Sequence, residues 1–148
     1  MQKIVINSIH GAFDLSYIGY KYYADLAGIT LYPYKLNWDA SLANQFFKQI
    51  TDEEALSTSQ ICLRMFTVDV ATNIPVDSKL PSNPSGYFSV DSIRRDDINL
   101  IRTVEALGEK ASSYLSRLKI VEIPDNIFWS IKEYDGKEWI AEKHLTWE

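Results

Sequence analysis

Apolar positions change period along this chain, and the changes mark its elements most clearly between Arg94 and Glu148. Leu100, Ile101, Val104, Leu107, Ala111, Leu115 and Leu118 recur at steps of three and four, the stripe of an amphipathic helix about five turns long. Asp96 or Asp97 caps that helix, and both carboxylates suit the positive end of its dipole. Gly108 lies on the edge of the stripe. A helical glycine costs about 1 kcal/mol against alanine, so the close approach of a neighbouring strand is the expected reason for it. Lys119 to Ile123 follows as a strand closed by Pro124.

Beyond Pro124 the period falls to two, and Asp135-Gly136 breaks the alternation as a hairpin turn. A two-residue loop would set Glu133 opposite Glu138. A three-residue loop, Tyr134-Asp135-Gly136, pairs Glu133 with Lys137 and Lys132 with Glu138 instead. Cross-strand pairs contribute roughly 0.2–1 kcal/mol each, which favours the longer loop. That register aligns Ile127, Trp129, Ile131, Trp139, Ala141 and Leu145 on a core face. Phe128, Ser130, Lys132, Glu138, Ile140, Glu142 and His144 then share a half-wet face.

At the other end, Lys3-Ile4-Val5-Ile6 is a short continuous apolar run of the kind that makes a central strand. Ser16 is placed as the N-cap of a helix over Tyr17–Ala27, with Leu15 and Tyr20 at the spacing of a hydrophobic staple. Gly28 stops that helix as a left-handed C-cap. Ile29 to Leu36 returns as a strand, in which Pro33 points to a sheet edge or an irregularity. In the middle of the chain, Leu42, Phe46, Phe47 and Ile50 have helical spacing over Asp39 to Ile50. Thr51 with Glu54 resembles a capping box opening one further turn. Ile61 to Val70 alternates as a strand, and Tyr87 to Val90 pairs back as another. Between them Thr72 to Gly86, with three prolines among serines and asparagines, reads as a mobile surface loop. The whole, residues 1–148, is expected to be a single α+β domain. Its mixed or antiparallel sheet is covered by two main helices and ends in a C-terminal β-hairpin.

Composition narrows the function classes. A chain of 148 residues can bury roughly two thirds of its unfolded surface. Its 46% hydrophobic and 13% aromatic content are those of a folded protein. The net charge of −5, with 15 basic residues nowhere densely clustered, argues against a nucleic-acid binder held by phosphate contacts. Cys62 is the one cysteine, which rules out an intramolecular disulfide and suits a reducing compartment. Its apolar flanks make it a small core residue rather than a catalytic thiol. No apolar stretch approaches the length of a membrane span, and the N-terminal apolar run is too brief for a signal peptide. The expected setting is therefore soluble and cytoplasmic.

Candidate chemistry is sparse. His144, with Glu138 and Glu142 near it, could act as a general base or help to hold a metal, against the simpler reading of a solvated strand end. His10 lies in a loop after a strand, a common location for function. Two histidines and one cysteine argue against a closed zinc site, so neither metal nor cofactor is expected. Arg94 and Arg95 beside a helix N-terminus could receive a small anionic ligand such as a phosphate, unless Asp96 and Asp97 engage them first. No phosphate-loop or dinucleotide pattern occurs. Tyr17, Tyr20, Tyr22, Tyr23, Tyr32 and Tyr34 exceed what one helix face and one strand can bury, so some could form a recognition patch. The strand near Pro33, or the terminal hairpin, could support a homodimer.

Several short motifs occur here in an order that resembles a group of small proteins from phage and prophage genomes. They are Arg95-Asp96-Asp97, Val104-Glu105-Ala106-Leu107-Gly108, Leu118 to Asp125, Glu133-Tyr134-Asp135-Gly136, Glu138 to Glu142 and His144. Lys3 to Asn7 with Gly11, Phe13, Leu15 and Ser16 match more loosely. The resemblance covers about half of the chain, at its two ends. It departs from the group at Ile98, where a proline is usual, and around Ile9-His10, where an aromatic and glycines are usual. It implies a viral origin and, through the genomic associations of the group, counteraction of host defence, but no mechanism. The expected function is that of a non-enzymatic accessory protein that binds a host protein or a small ligand. A nucleotide-binding or nucleotide-hydrolysing protein using Arg94, Arg95 and the carboxylates near His144 is the alternative.

Overall fold

Local signals close the first helix at both ends. Ser16 accepts the Gly19 N–H at 3.0 Å, so α1 runs over Tyr17–Ala27 as its cap and staple predict. Gly28 has φ 72° and Ile29 donates to the Ala24 carbonyl at 3.0 Å, the backbone bond of a Schellman cap. The computed structural model describes residues 1–37, 46–60, 62–69, 74–75 and 86–143. It is an α+β fold in which every strand pairing is antiparallel. By contact the chain divides into two compact units, one of Met1–Tyr23 with Val90–Glu148, the other of Ala24–Ser89.

The Ala24–Ser89 unit holds β2 (Tyr32–Asn37), β3 (Phe46–Gln49), α2 (Asp52–Ser57), β4 (Leu63–Phe66), β5 (Ile74–Pro75) and β6 (Tyr87–Phe88). Its five strands lie in the order β5-β3-β2-β4-β6, which makes β2 the centre of the sheet and not an edge. Pro33 is tolerated there because the missing donor has a direction. Its carbonyl accepts from Ile50 N–H on the β3 side, one residue beyond the first β2–β3 pair, Tyr34↔Gln49. Its N lies on that same side, so the one bond it cannot give is to the Ile50 carbonyl, at the last rung of the ladder.

The helix expected up to Ile50 is overturned over Phe46–Gln49, which is strand; residues 38–45 lie outside the described residues. Phe47 pairs with Leu36, and its ring meets Phe66 at 5.4 Å in a cluster with Tyr34. Non-local packing thus outweighs a local spacing that short runs cannot resolve. α2 opens on the expected cap, Thr51 Oγ1 accepting Glu54 N–H at 3.2 Å. β4 is shorter than Ile61 to Val70, and those two residues lie outside the described set; Thr67 turns to donate to the Gly86 carbonyl at 2.7 Å. Cys62 is half-buried beside the cluster rather than inside a strand. β6 stops at Phe88, and a single 3-10 turn, Val90–Ser92, replaces its expected continuation. The predicted loop over 72–86 lies outside the described residues except Ile74–Pro75, a short strand on β3, and Gly86.

The other unit is built on β1 (Gln2–Asn7), whose Ile4 and Val5 are wholly buried, paired with β7 (Leu118–Ile123). α3 (Ile98–Leu107) packs on this pair through Leu100, Ile101 and Val104. Asp97, not Asp96, is its cap: Oδ1 accepts Asn99 N–H at 2.8 Å and Leu100 N–H at 3.0 Å. Asp97→Ala should therefore cost about 1 kcal/mol in denaturant unfolding, whereas Asp97→Asn should stay within a few tenths of wild type.

The five-turn helix is a correction. α3 ends at Leu107, Gly108 turns to φ 58°, and a 3-10 turn, Gly108–Ala111, follows. Ala111 and Leu118 are still buried, so the apolar stripe marked core positions without fixing their backbone. Gly108 serves to end the helix and not to admit a neighbour, since a Cβ there would meet nothing within 4 Å.

Candidate functional site

The C-terminal hairpin, β8 (Trp129–Tyr134) and β9 (Lys137–Glu142), organises the candidate residues. Its loop is the two-residue Asp135-Gly136, with φ 49° and 81°. Positive φ at both central positions is the type I′ turn for which Asp-Gly is suited. The three-residue loop is thereby overturned: Tyr134 pairs with Lys137, and Glu133 with Glu138. The repulsion that argued against this register is relieved by other partners. Glu133 Oε2 accepts Gly136 N–H at 2.9 Å, and Glu138 is engaged by an arginine from the start of α3.

The new register also reassigns the faces. Trp129, Ile131, Glu138 and Ile140 now share the inner, half-buried face. Lys132, Tyr134, Lys137 and Trp139 share the outer one, where all four are exposed. Trp139, expected in the core, is 48% exposed.

Arg95 and Glu138 form a bidentate pair, Nη1–Oε1 2.7 Å and Nη2–Oε2 2.9 Å, with side chains 17% and 9% exposed. The guanidinium lies 3.4 Å above the centre of the Phe13 ring and donates to the Val5 carbonyl at 3.3 Å. Fully buried Asn7 completes the clasp. Its backbone N–H donates to Glu138 Oε1 at 2.7 Å, and its Nδ2 donates to the Ile9 and Gly136 carbonyls at 2.8 Å each. Its Oδ1 accepts Arg117 N–H at 2.9 Å. Gly11 donates to the Asp135 carbonyl at 3.1 Å, and His10 Nδ1 lies 3.3 Å from the same oxygen. A strand end, a loop, a helix start and a hairpin turn are tied together by one set of charge-assisted bonds.

The candidate residues therefore part ways. The fold brings Arg95 and Glu138 together, spent on each other, and sets His10 at the hairpin turn, against the Asp135 carbonyl and the Tyr134 ring. Arg94 stands apart and exposed, gripping Asp96 through Nε–Oδ1 3.0 Å and Nη2–Oδ2 3.1 Å. That hydrogen-bonded guanidinium holds the Asp96 carboxyl below the usual carboxylate range, and Asp96 raises Arg94 in turn. Glu142 is exposed at the far end of β9, opposite Trp129. His144 lies outside the described residues. Neither Asn7 nor Phe13 is marked as a site residue by its sequence context. A polar residue closing an apolar strand was the one available sign of the first.

Beside the clasp is a cavity of about 590 Å³. Ile6, Val121 and Ile123 of the β1–β7 pair line it together with Ile127 and Ile140, and Lys119 and Glu142 stand among them. Among the described residues no group of three histidine, cysteine or carboxylate side chains could hold a metal ion, and no helix is long and apolar enough to cross a membrane. The tyrosine patch does not form where expected: Tyr17, Tyr20, Tyr23 and Tyr34 are buried, Tyr32 is half-buried, and only Tyr22 of the six is exposed. Among the described residues the exposed aromatics are Tyr134 (73%) and Trp139 on the hairpin, Phe128 (71%) just before β8, and Tyr22 and Tyr114 elsewhere. No family model, curated protein or solved structure matches this chain.

Proposed function

We propose that this is a binding protein that engages a partner protein through the outer face of its C-terminal hairpin. The observation that carries the reading is the exposed set Tyr134 and Trp139 between Lys132 and Lys137. The inner face of the same hairpin is anchored by the Glu138–Arg95 pair, so the outer aromatics are presented on a rigid ribbon. Aromatic anchors among cations suit a partner surface that is apolar at its centre and acidic around it. The resemblance of both chain ends to phage and prophage proteins supports a host protein as that partner, and counteraction of host defence as the purpose.

A nucleotide ligand finds less support. Arg95 is engaged on Glu138 and Arg94 on Asp96, so neither guanidinium is left to converge on a phosphate. The test compares wild type, Arg94→Ala and the double truncation Tyr134→Ala with Trp139→Ala in capture from host lysate, followed by binding of the purified partner. Wild type and Arg94→Ala are expected to bind alike. The double truncation should weaken binding by about 2 kcal/mol or more with an unchanged circular dichroism spectrum. Capture that ignores the truncation would reject the hairpin face. A melting shift caused by a nucleotide and abolished by Arg94→Ala would favour a small anionic ligand instead.

A further inference from the structure

We infer that the open edge of β7 pairs with the β7 edge of a second copy of this chain, joining two β1–β7 ladders into one four-stranded sheet about a twofold axis at Val121. On β1, Val5 donates its N–H to the Arg95 carbonyl at 2.8 Å and Asn7 donates to Glu138 at 2.7 Å, so these residues point their backbone groups away from β7. Residues opposed across an antiparallel seam alternate together between bonded and non-bonded pairs. Their partners Ile120 and Leu118, and Glu122 opposite Lys3, therefore turn their own backbone groups to the open side.

At the two ends of that edge no donor is left: Leu118 N–H is spent on Ser112 Oγ at 2.8 Å, and Pro124 has none. Between them stand the N–H groups of Ile120 and Glu122, for which no acceptor occurs among the described residues. The free donors are thus symmetric about Val121, which is what an isologous twofold contact requires.

Side chains agree with this centre. Antiparallel self-pairing at Val121 sets Ile120 against Glu122, Lys119 against Ile123 and Leu118 against Pro124, so no like charges face each other. Ile120, Val121 and Ile123 are half-exposed, whereas Ile4 and Val5 on β1 are wholly buried, so apolar surface remains to be covered on the β7 side. A ladder of two strands gains from extension to four. The strand near Pro33 cannot serve in this way, being central in its sheet.

Sedimentation velocity of the full chain over a range of concentrations reads the contact, with cysteine cross-linking to fix its register. Wild type should pass from monomer to dimer mass as concentration rises. In a Cys62→Ser background, Val121→Cys should form a covalent dimer under mild oxidation, since a non-bonded pair on the axis has a Cα separation within disulfide range. Glu122→Cys should not, because it faces Ile120 of the other copy. Val121→Asp should leave a folded monomer. Should Val121→Asp fail to fold, the two cysteine variants decide alone. Monomer mass at every concentration without cross-linking of Val121→Cys, or a dimer that survives Val121→Asp, overturns the inference; an extended peptide from another protein would then be the remaining candidate for this edge.

Discussion

Arg95→Ala is expected to lower the unfolding free energy by about 3–5 kcal/mol, as much as the loss of a large core side chain. The size follows from what is left behind. Glu138 is 9% exposed as a side chain, and without the guanidinium its carboxylate keeps, among the described residues, the Asn7 N–H as its one close donor. Removal of one partner from a buried pair strands the other charge in a poorly solvated place, which costs more than the pair itself contributes. Phe13 also loses the cation above its ring, and Val5 loses a donor to its carbonyl. Arg95→Lys should fall in between, because a single ammonium cannot reproduce a planar fork that grips both carboxylate oxygens. Urea titration followed by tryptophan fluorescence measures all three proteins. A loss below about 1 kcal/mol for Arg95→Ala would mean that the pair behaves as a solvated surface bridge and does not hold the clasp. The double-mutant cycle with Glu138→Ala separates the stranded charge from the interaction, since the double variant strands none.

That pair also shows why sequence reasoning stopped where it did. β1, α1, the start of α3 and β7 were legible because each is declared within a few residues: an apolar run, a serine or aspartate cap, a glycine stop. The hairpin turn was legible as a turn, but its register was argued from the charges of the hairpin alone. The deciding residue, Arg95, lies 43 positions away and removes Glu138 from that account. The same physics misplaced the middle of the chain. Phe46 and Phe47 fit a helical period and a strand period equally well, and only the ring of Phe66 and the pairing with Leu36 decide between them. Pro33 was read by a rule about donors that holds on one side of a strand at a time. The candidate residues fared likewise. Arg94, Arg95, His10 and Glu138 suggest chemistry by their type, and their types are equally those from which a structural clasp is made.

Gly136→Ala is the second large expected effect, about 2–5 kcal/mol, with two separable causes. At φ 81° an L-residue with a Cβ meets the left-handed penalty of roughly 1–2 kcal/mol. The added methyl would also overlap the backbone of Gly11, including its carbonyl, and forcing it in costs roughly 1–3 kcal/mol. Asp135→Asn is the control for the first cause, because asparagine keeps the turn while touching nothing else; it should lie within about 0.5 kcal/mol of wild type. If Gly136→Ala costs only the left-handed penalty, then Gly11 has moved aside and the loop is not held against the turn. If it costs more, the loop over residues 7–11 and the hairpin turn behave as one body. In that case Gly136→Ala and Arg95→Ala should be strongly non-additive, since each releases the same hairpin from the same strand end and the second loss has less left to remove.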